Sequence, residues 1–249
     1  LDKLSERGYR AYIVGGAVRD YCLKKEPVDF DITTDASPDE IIDVFKDFKT
    51  IDIGKEYGTI VVNIGENNIE ITSFRIDLES QDGRKPKGVI YTKNLEMDLK
   101  RRDFTINSMA FNKDEGLIDL FNGLEDLNMG IIRTIGKPSE RFSEDYLRVL
   151  RCIRFSASLD FTIEEETWKE CINNRYGLGD ISPDRIREEF FKILLSDKPS
   201  KGIRLLRESG ILPMIIPELE ATYDFYQQNP YHNKDVFNHI LDVVDNIEP

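Results

Sequence analysis

Asp29 and Asp31 stand two residues apart in the run Val-Asp-Phe-Asp-Ile-Thr, which alternates apolar and polar residues as a half-buried strand does. In a strand, residues i and i+2 face the same way about 6–7 Å apart, so both carboxylates aim at one spot while Val28, Phe30 and Ile32 turn to the core. Two converging carboxylates suit Mg²⁺, and two such ions about 4 Å apart clamp the attacking and leaving oxygens of an in-line nucleotidyl transfer. The same pair also suits a plain solvated strand face. Ten residues upstream, Val14-Gly15-Gly16-Ala17-Val18-Arg19-Asp20 sets paired glycines between a strand and a helix. Bare backbone N–H groups there admit a phosphate, and Arg19, one turn on, reaches it. Glu70, in Asn-Ile-Glu-Ile-Thr, offers a third carboxylate from a neighbouring strand, or an ordinary edge-strand glutamate.

The elements that position these groups are legible in outline. Arg10 to Val14 reads as a short strand, Ala17 to Leu23 as a helix and Val28 to Thr33 as a strand. Ser37-Pro38-Asp39-Glu40 then carries a capping residue, a first-turn proline and the glutamate of a capping box, which starts a helix running to about Lys46. Thr59–Ile64 and Ile69–Phe74 flank Gly65-Glu66-Asn67-Asn68 as a hairpin does. From Gln81 to Tyr91 the chain turns polar and cationic, a mobile loop by composition. Beyond Asn94 the pattern is helical over Phe104–Phe111, Glu144–Ser158, Ile163–Ile172, Pro183–Leu195, Ser200–Ser209 and Val236–Ile247. The expected class is α+β, a small mixed sheet followed by a helical body.

Four ordered strings, Gly15 to Asp20, Asp29-Phe30-Asp31, Arg101-Arg102-Asp103-Phe104-Thr105-Ile106-Asn107 and Glu144-Asp145-Tyr146-Leu147-Arg148, resemble the motifs of the class II tRNA nucleotidyltransferases. These are the CCA-adding enzymes of the polymerase β superfamily, with the bacterial poly(A) polymerases as relatives. The resemblance implies a nucleotidyltransferase head (residues 1–115), a helical neck that selects the nucleotide (116–200) and the start of a body (201–249). It implies that Asp29 and Asp31 hold Mg²⁺ with Glu70 as a third catalytic carboxylate. Gly15, Gly16 and Arg19 would meet the nucleotide phosphates, and Arg102, Asp103 and Asn107 the ribose and phosphates. Arg151 and Arg154 match arginines that line the family's nucleotide pocket.

Asp145 and Arg148 are expected on one helix face, three residues apart, offering an acceptor beside fixed donors. Cytosine presents N4–H beside acceptor N3, and adenine N6–H beside acceptor N1, so one Asp–Arg pair meets both bases while uracil and guanine reverse both positions. The implied activity is template-independent addition of C, C and A to the tRNA acceptor end from CTP and ATP, with pyrophosphate released. The 25 residues from Ile76 to Lys100 include the family's flexible loop, which disfavours CC-only addition, and Ile53 to Thr59 leans to the CCA-adding pattern over poly(A) polymerases. A-only addition stays open, as does a catalytically silent RNA- or nucleotide-binding module. Asn229 to His239 resembles the entry to an HD phosphohydrolase-type domain, but His232 and His239 lack the later His-Asp pair, so no hydrolase activity is expected.

Composition sets the remaining bounds. Of 249 residues, 47 are acidic and 34 are Lys or Arg, a formal charge of −13 that argues against a general polyanion binder. The acids are concentrated, however: residues 26–52 carry −7 and residues 214–249 carry −6, while 84–107 and 185–207 each carry +4. RNA contacts are therefore expected along the neck. Cys22, Cys152 and Cys171 form no CxxC pair and read as cytosolic thiols, and no run of about 18 apolar residues exists. The expected location is cytoplasmic, with no membrane association and no stable protein partner. A start at Leu1 without Met and a stop just after an amphipathic run read as a fragment.

Overall fold

The computed structural model describes residues 1–78, 87–227 and 234–247, the side chain of Ile53 excepted. The cationic stretch Gly83 to Pro86 and the segment Asn229 to Asn233, His232 included, lie outside the described residues. Two compact units divide the rest: residues 1–129 with 133–136, and residues 130–132 with 137–247.

In the first unit the period-2 runs form strands β1 (Ala11–Val14), β2 (Asp31–Thr34), β3 (Lys49–Gly54), β4 (Thr59–Ile64), β5 (Asn67–Ser73), β6 (Arg75–Asp77), β7 (Val89–Tyr91), β8 (Ala110–Asn112) and β9 (Gly116–Ile118). Seven make one sheet in the order β3-β4-β5-β2-β1-β8-β9, while β6 and β7 pair separately. Only β2 and β5 run parallel; the other neighbours in the sheet are antiparallel. Helices α1 (Asp2–Glu6), α2 (Gly16–Cys22), α3 (Pro38–Val44), α4 (Leu95–Lys100) and α5 (Gly123–Met129) accompany the strands. Alternation along β1 splits the core in two. Ala11 joins Leu4, Ile32, Ile41, Ile60 and Ile71 beside α1 and α3, whereas Tyr12 and Val14 join Phe74, Leu95, Leu99 and Ala110 beside α4. The Ser37 capping box forms as expected, its Oγ accepting from Glu40 N and the Glu40 carboxylate accepting from Ser37 N.

The second unit contains α6 (Pro138–Glu144), α7 (Leu147–Leu159), α8 (Glu165–Asn173), α9 (Pro183–Leu194), α10 (Pro199–Glu208), α11 (Leu212–Ile215), α12 (Pro217–Glu220) and α13 (Val236–Asp245). A two-residue parallel ladder of β10 (Ile131–Ile132) and β11 (Thr162–Ile163) adds the only strand pairing described in this unit. The buried stripe Leu150, Ile153 and Ala157 of α7 packs with α9 and α10. A Cβ on Gly202 would stand 2.4 Å from Ile193 Cγ2, so glycine permits the close approach of α10 to α9.

Several elements differ from the sequence expectation. The β4–β5 hairpin turns on Gly65 and Glu66 alone, with Asn67 and Asn68 already paired to Ile64 and Asn63. Phe104–Phe111 is a short 3₁₀ turn (Thr105–Asn107) leading into β8, because Phe104 bridges to Thr134 and Thr105 N donates to Arg133 O. Glu144–Ser158 is broken at Asp145, whose backbone is extended at φ −152°. Among the described residues no helix is long and apolar enough to cross a membrane, and the three cysteines are free.

Candidate active site

In the first unit, register does the positioning. Asp31 pairs with Val14 on one side and Glu70 on the other, at the end of β1 that leads into the glycine turn. Ile32 and Ile71 enter the core, so Asp31 and Glu70 share the opposite face of neighbouring strands. Asp29 precedes β2, and the residues expected to anchor it are outside the core: Val28 is 89% exposed and Phe30 44% exposed, with Ile32 alone buried. The strand starts three residues later than its alternating pattern suggests, because Asp31 is the first residue with ladder partners on both sides.

The three carboxyls crowd one another. Desolvation by the surrounding protein pushes Asp31 above the ordinary carboxylate range; Arg102 opposes this and Asp29 adds to it. Glu70 is raised as well, by desolvation first and then by the charges of Asp31 and Asp29. Desolvation leads although both side chains still reach solvent, and the like charges push in the same direction. Gly15 takes φ +71° and ψ −134°, a conformation that side chains resist, and a Cβ there would lie 3.4 Å from Arg102 Nη1 and 3.6 Å from Asp31 Oδ2. Arg102 and Asp31 thus flank the turn.

A hydrogen-bonded chain holds the other expected residues of this unit. Arg19 Nη1 donates to Asn107 Oδ1 at 2.9 Å, and Asn107 Nδ2 donates to Asp103 Oδ1 at 3.2 Å. Asp103 Oδ1 also accepts from Phe104 N at 2.8 Å. Asp103 and Asn107 are each only 6% exposed, so they meet surface chemistry mainly through Arg19. Arg102 is held by Asp98, a residue the motif reading passed over. Asp98 is fully buried, accepts from Thr33 Oγ1 (2.9 Å) and Arg101 Nε (2.9 Å), and lies 3.6 Å from Arg102. Burial works against its charge, but Arg101, Arg102 and the bonds from Arg101 and Thr33 outweigh it and hold the carboxyl below the ordinary range. Its sequence signal is an acid on the Leu95–Leu99 face of α4, where burial demands a partner.

In the second unit, Asp145 and Arg148 are not an i,i+3 pair on one helix. Asp145 is the extended residue between α6 and α7; its Oδ1 accepts from Leu147 N at 3.1 Å and its Oδ2 from Arg185 Nη2 at 3.1 Å. Arg148 Nη1 donates to Glu144 Oε2 (2.5 Å) and to the Arg141 carbonyl (2.8 Å), and Glu144 also takes Arg141 Nη1 at 2.8 Å. The corner is packed tightly: a Cβ on Gly177 would stand 2.2 Å from Tyr146 Cδ1, so only glycine leaves room for that ring. Arg151 lies 5.4 Å and Arg154 4.2 Å over the Phe155 ring, and Arg154 pairs with buried Glu189 at 3.0 Å. The sequence offers Arg185, with Asp184, Arg187 and Lys192, for tRNA phosphates or neck support rather than for Asp145, and gives Glu189 no role; both contacts cross between helices, whereas Glu144 meets Arg141 and Arg148 at local i,i+3 and i,i+4 spacing.

The donor set of the first unit fits a divalent cation. Hard oxygen ligands converge, their mutual repulsion is relieved by positive charge, and Mg²⁺ takes one or two carboxylates plus water and substrate phosphates rather than a complete protein cage. Among the described residues no group of three or more His, Cys, Asp or Glu side chains could hold a metal ion by itself, so a cation here would need water and substrate oxygens as ligands too.

Residues 11–133 match the family model described as the Poly A polymerase head domain, and residues 160–222 match the Probable RNA and SrmB- binding site of polymerase A. The chain is 45% identical over 211 residues to the CCA-adding enzyme of Bacillus licheniformis (85% of this chain, 53% of that one). It is 46% identical over 203 residues to that of Pediococcus pentosaceus (82% and 51%). Among solved structures it resembles the Bacillus stearothermophilus CCA-adding enzyme in complex with CTP, with TM-score 0.78, 38% identity, and 84% of this chain and 50% of that one covered. It also resembles the Thermotoga maritima CCA-adding enzyme complexed with tRNA_CCA, with TM-score 0.74, 31% identity, and 91% and 52% covered. The mixed sheet with its paired carboxylates is a nucleotidyltransferase head. The chain belongs to the family of the tRNA nucleotidyltransferases and bacterial poly(A) polymerases, and spans about half the length of the curated relatives it matches.

Proposed function

We propose that this chain carries the head and nucleotide-selecting part of a CCA-adding tRNA nucleotidyltransferase. The observation that carries the reading is the register of Asp31 beside Glu70, close enough to Asp29 that the three charges act on one another, at a turn flanked by Arg102. The 3′-oxygen of the tRNA acceptor end bonds to the α-phosphorus of CTP or ATP, and the bond to pyrophosphate breaks. Mg²⁺ held by Asp29 and Asp31 would supply charge neutralisation and acidify the attacking hydroxyl. Glu70 adds negative charge to that face; Arg19 and Arg102 offset the charge of the triphosphate. Asp103 and Asn107 hold Arg19 in place. Asp145 accepts from the amino group of cytosine or adenine, and Arg148 donates to the neighbouring ring nitrogen. Residues 1–115 would serve as head, 116–200 as neck and 201–249 as the start of a body that contacts tRNA, in the cytoplasm.

The test is incubation with tRNA ending at the discriminator base and with single nucleotides. The reading expects two additions from CTP followed by one from ATP, and no addition by Asp29→Ala or Asp31→Ala. Incorporation by the variants equal to wild type contradicts it. The match to the poly A polymerase head supports a second reading, A addition alone, for which ATP but not CTP would be used.

A further inference from the structure

We propose that Arg185 is a positioning residue for base selection: it holds the Asp145 carboxylate in the orientation that accepts from the amino group of cytosine or adenine. The inference rests on the base-reading role given to Asp145 above. A carboxylate offers about four lone-pair sites. Leu147 N takes one on Oδ1 and Arg185 Nη2 takes one on Oδ2, which fixes the plane of the group and leaves its remaining sites for a ligand.

The corner needs such a brace. Asp145 sits where the chain leaves α6 in an extended conformation, so no helical turn of its own restrains it. Arg185 comes from the first turn of α9, behind Pro183, a rigid element start. Arg148 has its own brace in Glu144 and the Arg141 carbonyl. Each half of the base-reading pair is therefore gripped by a different partner, and the two grips can be broken separately. Without Arg185, the carboxylate rotates and water competes for the sites that the base amino group needs. Uracil, which presents a carbonyl there, gains nothing from the brace. Loss of Arg185 thus acts on CTP and ATP and spares UTP.

The experiment is calorimetric titration of the chain with CTP and with UTP, for wild type, Arg185→Met, Arg185→Lys, Asp145→Asn and the double variant Asp145→Asn/Arg185→Met. The pair is part-exposed, 30% and 25%, so its loss leaves the fold intact, which a thermal melt checks. Arg185→Met is expected to lower the CTP-over-UTP preference about tenfold by weakening CTP, with Arg185→Lys restoring part of it. Asp145→Asn is expected to abolish the preference, and Arg185→Met to add nothing in the double variant. A preference unchanged within twofold in Arg185→Met, with Asp145→Asn still losing it, overturns the positioning role and leaves the base-reading role standing. If Arg185→Met does not fold, Arg185→Lys decides, and wild-type preference there overturns the proposal. A wild type without CTP preference, or an Asp145→Asn that keeps it, defeats the base-reading role and this inference with it.

Discussion

The two charged centres of this chain are assembled in opposite ways. In the head, Asp31 and Glu70 are pushed up first by desolvation and then by neighbouring carboxylates, Asp29 on Asp31 and both aspartates on Glu70, with Arg102 opposing at Asp31 alone. Around the α6–α7 corner and along α7, charges stand in opposite pairs: Asp145 with Arg185, Arg148 with Glu144, Arg154 with Glu189. Crowded like charges are costly until a cation arrives, so they form a place where charge is to be supplied. Paired charges hold their geometry before any ligand comes, which suits discrimination between neutral bases. On the proposed reading, chemistry and selection draw on different electrostatics within one chain.

Substitution of Asp31 by Ala should have the largest effect, lowering turnover at least about a hundredfold while leaving the fold intact, since removing one of three crowded acids relieves repulsion. A fall in urea midpoint for this variant would break the contrast. Asp98 inside the head follows the second pattern and should behave accordingly. Asp98→Asn strips the partner from Arg101 and Arg102 and should cost about 3 kcal/mol by urea unfolding at neutral pH. The sign with pH follows from its depressed folded value. The contribution is present above the unfolded carboxyl range near pH ~3.9 and fades as pH falls through the folded value, so the two proteins converge in acid.

How much of this was legible before the structure depends on the range of the interaction. The strand–glycine–helix start, the Ser37 capping box and the β4–β5 hairpin are local devices, and each formed within a residue or two of its expected position. Asp31 and Glu70 were legible as candidates, and only the sheet register shows that they stand side by side on one face. The break at Asp145 was hidden because buried apolar residues recur across it, Phe142 before and Leu147 and Leu150 after, as they would on one continuous helix. Val28 and Phe30 misled for the reverse reason: their alternation imitates a strand that starts only at Asp31. Asp98 meets Arg101 and Arg102 at local spacing, but its bond to Thr33 spans 65 residues and that of Arg185 to Asp145 spans 40, separations no motif covers.

Smaller effects sharpen the picture at the corner. Gly177→Ala places a methyl 2.2 Å from the Tyr146 ring, so it should cost about 1–3 kcal/mol by thermal unfolding and reduce the CTP-over-UTP preference through the adjoining Asp145. Stability lost with the preference kept would uncouple Tyr146 from base selection. Ser37→Ala, remote from both centres, should cost about 1 kcal/mol of stability and leave incorporation unchanged.

The most direct test of the contrast is titration calorimetry of the chain with Mg²⁺ and then Mn²⁺, with Asp31→Asn and Arg185→Met as variants. The account predicts that cation binding is lost in Asp31→Asn and retained in Arg185→Met. Equal binding by wild type and Asp31→Asn, or loss of binding in Arg185→Met, would contradict it.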